Sequence, residues 1–313
     1  MTNTRPVAIV GAGLVGSGWA LVFARAGYRV NAFDPSAEVR GRILRWARES
    51  LTELASAGLV DDCHAALSRI TVHDTLAGAL AGAFHVQESV YETVAAKIEV
   101  SRAIDAAMDS DAVIGSSSSG IPASQFTEGC THRDRFLIAH PVNPPHLVPV
   151  VEIVPAPWTA PDVVEAAVAL MQAVGQVPVR LTREIDGFVL NRLQGVLLNE
   201  AWALYQDGIA SLADIDATIS AGLGLRWSFM GPFETIDLNA PGGIEDYAAR
   251  LRGLYTGMVR VPPPGPWPDA VIAKAASERR DALPLDGLAD RRAWRDRILT
   301  RLAVFKKTNN LAG

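Results

Sequence analysis

Val7-Ala8-Ile9-Val10-Gly11-Ala12-Gly13-Leu14-Val15-Gly16 stands near the start of the chain, and Tyr28-Arg29-Val30-Asn31-Ala32-Phe33-Asp34 follows after a helical stretch. The first four residues are an apolar run of strand type, and the glycines come next in the order that a dinucleotide-binding βαβ unit requires. Gly11 permits a tight turn out of the strand, Gly13 lets backbone approach a pyrophosphate, and Gly16 allows helix and strand to pack closely. Leu14 and Val15 complete the turn, where free N–H groups at a helix N-terminus suit an anion. Ser17–Ala26 reads as the helix, stopped by Gly27, a favourable residue just past a helix end. Tyr28–Phe33 reads as the second strand, and Asp34 ends it about 20 residues beyond the glycines. An acid there accepts both hydroxyls of an adenosine ribose and repels a 2′-phosphate, so NAD rather than NADP is the predicted cofactor.

Outward from this unit, to about Thr182, short β-branched runs alternate with helical text, the pattern of a parallel sheet covered by helices. Strands are predicted at Ile70–Val72, Ala83–Val86, Ala112–Ile114, Phe136–Ala139, Val148–Val154 and Gln176–Val179, with helices at Ala95–Met108 and Pro161–Val174. After Arg183 strand text nearly vanishes. Gly187–Asp207 carries apolar residues at 188, 189, 193, 196, 197, 201 and 204, a wide helical face, and Ser211-Leu-Ala-Asp214 reads as a capping box. Val261–Pro268, with five prolines, reads as an extended connection before two charged helices within Asp269–Lys307. The expected class is therefore α/β, a doubly wound Rossmann-type domain over residues 1–182 followed by an all-α domain over residues 183–313.

With 313 residues, of which 49% are hydrophobic and 20% charged, the chain has enough apolar text for a two-domain globular protein. A net charge of −5 without a block of one sign argues against nucleic acid or an anionic membrane as partner and favours a small molecule. Cys63 and Cys130 lack disulfide-framework or zinc-ligand spacing, so no metal is expected and two free thiols fit a reducing cytoplasm. Polar Met1–Pro6 leads straight into the first strand, and no apolar run reaches the roughly 18 residues of a membrane span, so neither a signal peptide nor an anchor is expected.

Chemistry is concentrated past the middle of the chain, in Phe136-Leu-Ile-Ala-His140-Pro-Val-Asn143-Pro-Pro and Val150-Val151-Glu152-Ile153-Val154. His140 follows a strand, near the carboxyl ends where open α/β sheets bind ligands. Removal of hydride from an alcohol carbon needs a group to take the hydroxyl proton, and histidine titrates near neutrality; Glu152 would orient and charge-stabilise it. Taken alone, the residue types leave two readings, a catalytic base and a hydrogen-bonded structural histidine. Gly115-Ser116-Ser117-Ser118-Ser119-Gly120 is either a hydroxyl-bearing loop for a substrate oxygen or a plain turn. Asn191, in Asp186-Gly187-Phe188-Val189-Leu190-Asn191-Arg192, is either an amide donor to the same oxygen or a polar helix residue.

The glycine turn, Ser119, His140-Pro-Val-Asn143-Pro-Pro, Glu152 and Gly187–Arg192 together resemble the 3-hydroxyacyl-CoA dehydrogenase superfamily. Gly222-Leu-Gly-Leu-Arg226-Trp, Gly231–Asn239 and Arg291-Arg-Ala-Trp-Arg295-Asp resemble its lambda-crystallin and L-gulonate 3-dehydrogenase branch. The resemblance covers nearly the whole chain, with the motifs in the family's order. It implies His140 as general base, Glu152 as its orienting partner, and Ser119 and Asn191 as donors to the reacting oxygen. It also implies contacts from Glu92 and Lys97 to the nicotinamide ribose and neighbouring groups; on residue type alone these two are a solvated helix pair. Arg226 is the candidate for a substrate carboxylate, since a guanidinium binds one bidentately, its alternative being a surface arginine.

Acyl-CoA members carry lysines just beyond the Glu49-Ser50-Leu51 segment, suited to CoA phosphates, whereas Thr52-Glu-Leu-Ala-Ser-Ala-Gly58 has none and Ala57 stands at the aligned position. The resemblance thus favours a small 3-hydroxy acid, with L-gulonate the branch-level choice and L-carnitine or a 3-hydroxyacyl-CoA as alternatives. Two non-enzyme readings are a crystallin-like structural protein and an NAD-binding sensor. A homodimer through the helical domain is expected from the same resemblance.

Overall fold

The computed structural model describes residues 4–258 and 267–311. Its strands are β1 (Val7–Val10), β2 (Val30–Phe33), β3 (Ile70–Val72), β4 (His85–Glu88), β5 (Val113–Ser116), β6 (Phe136–Pro141), β7 (Val150–Pro155) and β8 (Val177–Arg180). They form one eight-stranded sheet in the order β3-β2-β1-β4-β5-β6-β7-β8. Every residue of β1 is buried, which is why it reads as a continuous apolar run rather than an alternating one. Val7 and Ile9 enter a core cluster with Trp19 and Phe23, whereas Ala8 and Val10 enter another with Ile104 and Ile114. Alternate residues of one strand thus serve two helix layers, the signature of a doubly wound sheet.

α1 (Leu14–Arg25) begins directly on the glycine turn, three residues before the expected Ser17, and buries Trp19, Leu21, Val22 and Phe23. α2 (Ala37–Ser56) is opened by Ser36, whose hydroxyl accepts from the Val39 N–H. The sheet is parallel except between β6 and β7, which pair antiparallel. That departs from the expected all-parallel pattern because the connection, residues 142–149, is shorter than the roughly dozen residues that a parallel crossover needs.

The chain divides into two compact units, one running to Arg192 and including Asp296–Lys307, the other running from Leu193 to Arg295. Residues 183–192, expected with the helical domain, group with the sheet because Phe188 is buried in a cluster with Ile138 and Val154. The helix expected from Gly187 accordingly starts at Leu190 and runs to Gln206. In the second unit Ser211 caps Leu212–Ala217, accepting from the Asp214 N–H as a capping box should. The two charged helices are Asp269–Ala282 and Leu288–Thr308. Apart from Trp267 and Pro268, the expected proline-rich connection lies outside the described residues.

Candidate active site

Gly11 has φ +87°, and a Cβ there would lie 2.6 Å from the Ser89 carbonyl oxygen; at Gly16 it would lie 1.9 Å from the Gly11 oxygen. These two positions build the turn. Gly13 is different, since a Cβ there would meet nothing within 4 Å. The open space above Gly13 is what a pyrophosphate needs, and it adjoins a cavity of about 380 Å³ bounded by Leu14, Ser17, Arg42, Arg45 and Trp46. At the end of β2 Asp34 accepts from the Ala12 N–H at 2.9 Å and from the Ser36 N–H at 2.9 Å, which aligns its carboxylate with the turn. Gly11, Gly13, Leu14, Val15, Gly16 and Asp34 therefore fit a dinucleotide.

Beyond the neighbouring strand ends the site continues. Glu92 takes three hydrogen bonds on one oxygen, from the Ser118 hydroxyl at 2.7 Å, the Ser119 N–H at 2.7 Å and the Gly120 N–H at 3.1 Å. Burial alone would raise its pKa, but these donors and the Lys97 charge hold it below the usual carboxylate range. Lys97, expected to touch the cofactor, is instead inaccessible: its ammonium lies 2.9 and 3.0 Å from the two oxygens of Glu88 and 3.8 Å from Glu92. Sequence reading missed Glu88. Its signal was a carboxylate ending the strand run His85-Val86-Gln87-Glu88, with a lysine on the helix that follows.

His140 and Glu152 are directly opposite on β6 and β7. His140 Nδ1 lies 2.8 Å from Glu152 Oε2, with both side chains buried. The other carboxylate oxygen accepts from the Val189 N–H at 2.8 Å and the Leu190 N–H at 2.9 Å. Burial pushes Glu152 up, but the His140 hydrogen bond and these amides outweigh it and keep it below its ordinary range. Gly187 (φ +74°) and Phe188 (φ +50°) are both left-handed, and this reversal turns the two amides toward Glu152. For a buried phenylalanine that conformation costs about 1–3 kcal/mol, a strain held where Phe188 packs on the His140 ring at 5.7 Å. Asn191 follows, and its side-chain amide donates to the Ser119 carbonyl at 2.5 Å. Ser119, Glu92 and Asn191 are thus brought together. Arg226 lies in the second unit, exposed on Gly224–Trp227, directly after a π-helical turn over Thr218–Leu223. Such turns are frequent at functional positions.

The order β3-β2-β1-β4-β5-β6 is that of two mononucleotide-binding halves meeting between β1 and β4, with Asp34 just past the end of β2 in the first half. A buried histidine–carboxylate pair at the far end of such a sheet defines the class, a dinucleotide-dependent dehydrogenase. Comparison with known proteins specifies it further. The 3-hydroxyacyl-CoA dehydrogenase NAD binding domain matches residues 6–185, and the 3-hydroxyacyl-CoA dehydrogenase C-terminal domain matches residues 187–267. The chain is 43% identical to the lambda-crystallin homolog of Bos taurus over 96% of this chain and 95% of that one. It is 36% identical to the L-carnitine dehydrogenase of Streptomyces coelicolor over 99% and 96%. The crystal structure of 5-formyl-3-hydroxy-2-methylpyridine 4-carboxylic acid 5-dehydrogenase, an NAD+-dependent dismutase, superposes with a TM-score of 0.83 at 27% identity, covering 97% of this chain and 98% of that one. The chain belongs to the 3-hydroxyacyl-CoA dehydrogenase family, and its cofactor is NAD.

Proposed function

We propose that this protein oxidises the 3-hydroxyl of a small hydroxy acid with NAD, L-gulonate to 3-dehydro-L-gulonate being the first candidate. The observation that carries the reading is the His140–Glu152 pair. With Nδ1 turned to the carboxylate, Nε2 is left to take the substrate hydroxyl proton, and Glu152 balances the imidazolium that results. Bound NAD supplies the hydride acceptor. Its pyrophosphate would rest on Gly11, Gly13, Leu14, Val15 and Gly16, its adenosine ribose on Asp34 and its nicotinamide ribose on Glu92. In this reading Ser119 and Asn191 orient the reacting oxygen, and Arg226 holds the substrate carboxylate. The likeness to a lambda-crystallin homolog supports L-gulonate, and that to an L-carnitine dehydrogenase supports the broader class of small 3-hydroxy acids.

One observation favours a second reading, an acyl-CoA thioester as substrate. The stretch Thr52–Gly58 lacks lysines, but Arg42 and Arg45 on α2 line the cavity beside the glycine turn and supply cations that a phosphate-bearing carrier needs. The helical unit would join two copies into a homodimer. A cytoplasmic location accords with the two free cysteines, and no helix among the described residues is long and apolar enough to cross a membrane.

The test is NADH formation by the purified protein with NAD and L-gulonate, L-carnitine, 3-hydroxybutyrate or 3-hydroxybutyryl-CoA. Turnover of L-gulonate and not of the CoA ester is the expected result. Turnover of the CoA ester alone would transfer the assignment to the second reading. Silence across the panel with NADH still bound would leave a sensor, and with none bound a structural role.

A further inference from the structure

Besides Glu152, the first unit buries a second carboxylate, Glu88, 1% exposed, and pairs it with Lys97, which is fully buried. Two such charges are costly to withdraw from water, and a neutral pair of similar shape would stabilise the fold as well or better. Their location is therefore informative. Glu88 ends β4, opposite Val10 of β1 on one side and Ser116 of β5 on the other. It thus stands at the switch point, between the glycine turn and the serine loop.

Each of its oxygens is committed. Oε1 accepts from the Val90 N–H at 2.6 Å and Lys97 at 2.9 Å; Oε2 accepts from the Ser116 hydroxyl at 2.5 Å and Lys97 at 3.0 Å. Three segments meet on this carboxylate: the turn after β4, the end of β5, and the helix Val94–Ala107 that carries Lys97. Lys97 in turn faces Glu92 at 3.8 Å, and Glu92 holds Ser118, Ser119 and Gly120. Ser119 is held from its other side by Asn191. Asn191 adjoins Val189 and Leu190, whose amides hold Glu152 against His140. A connected run of hydrogen bonds, one longer ion pair between Lys97 and Glu92, and short backbone links extends from Glu88 to the histidine.

We propose that Glu88 is a positioning residue of the cofactor site. Through Lys97 it fixes the Glu92 carboxylate, and through Glu92 the backbone of Ser119 and Gly120, in the arrangement that receives the nicotinamide half of NAD. The inference rests on the assignment of Glu92 and Ser119 to the site made above. A salt bridge serving only the fold would have no reason to lie at the switch point with its cation shared by a half-exposed carboxylate of the loop.

The test compares Glu88→Gln, Lys97→Met and the double variant E88Q/K97M by thermal unfolding, NADH binding titration, and amide hydrogen exchange at residues 119 and 120. Each single variant strands one buried charge, so both should unfold at lower temperature, and the double variant should regain most of the loss. If the pair positions Glu92, the double variant still binds NADH about fivefold or more weaker than wild type and exchanges the Ser119 and Gly120 amides faster. Recovery of both stability and wild-type NADH affinity in the double variant would overturn the proposal. If that variant does not fold, Ser116→Ala decides, because it removes the hydroxyl that donates to Oε2 and accepts from the Ser118 N–H at 3.3 Å, a second tie between the Glu88 carboxylate and the serine loop. It should weaken NADH binding with little change in unfolding temperature, and unchanged binding would overturn the proposal. None of these readouts uses a hydroxy acid, so failure of the substrate assignment and failure of this inference remain separable.

Discussion

Glu152 serves three groups at once: with one oxygen it accepts from two backbone amides, and with the other it pairs with His140, on a strand of opposite direction, whose ring packs on Phe188. A carboxylate so held keeps the imidazole in one orientation and one tautomer, Nδ1–H toward the acid. Glu152→Gln retains the shape but offers an amide where the anion stood. The expected kcat loss is about 10²-fold or more, comparable to His140→Ala, and the double variant should lose little further because the two act as one unit. Acid unfolding supplies a second readout. The folded-state pKa of Glu152 lies below its ordinary 4.5, so its contribution to stability is present above that value and is lost as pH falls through the folded pKa. Glu152→Gln should flatten that part of the acid limb, and an unchanged limb together with unchanged kcat would refute the coupling. His140 and Glu152 were legible in the sequence because each sits in a strand run whose apolar neighbours make a polar residue conspicuous. Glu88 was not, since its meaning depends on Lys97 reaching it from the next helix, which no spacing rule encodes.

At the scale of elements, the glycine turn separates construction from ligand approach. A Cβ at Gly16 would lie 1.9 Å from the Gly11 oxygen and 3.3 Å from the Ile9 side chain, so Gly16→Ala must move α1 off β1. At Gly13 the added methyl meets no protein atom, so Gly13→Ala should leave the fold intact and obstruct only what binds above it. Thermal unfolding with NADH titration should find Gly16→Ala destabilised as well as poor in binding. Gly13→Ala should unfold near the wild-type temperature yet bind about tenfold or more weakly. Equal destabilisation of the two would contradict this division. The βαβ unit was readable in advance because strand, turn, helix and acid are local. The antiparallel β6–β7 pair was set by the length of residues 142–149, and the late helix start at Leu190 by the left-handed Gly187 and Phe188; these are tertiary requirements that apolar periodicity does not register.

For the whole molecule, the second unit poses the largest energetic question. Among its described residues only Tyr205, Thr235 and Ala275 are buried, whereas Leu193, Val196, Ile209, Leu225, Phe233, Leu238 and Leu285 are each 64–74% exposed. Helices gain most of their stability from packing an apolar face, and among the described residues these side chains stay exposed. The face read from Gly187–Asp207 illustrates this, because Leu193 and Val196 were legible as apolar helix positions but not as positions left exposed among the described residues. A second copy of the chain would supply a cover of matching composition, and twofold pairing would use the same surface on both copies. Light scattering on the eluted protein should give twice the 33.4 kDa chain mass. Leu193→Glu with Val196→Glu should shift the mass toward a single chain and lower the unfolding temperature, since charges on that face must then be desolvated or the interface opened. A wild-type mass of one chain at micromolar concentration would mean that these side chains are covered in some other way. A dimer unaffected by the two substitutions would move the interface to the faces carrying Leu225, Phe233 and Leu238, where Phe233→Glu becomes the discriminating variant.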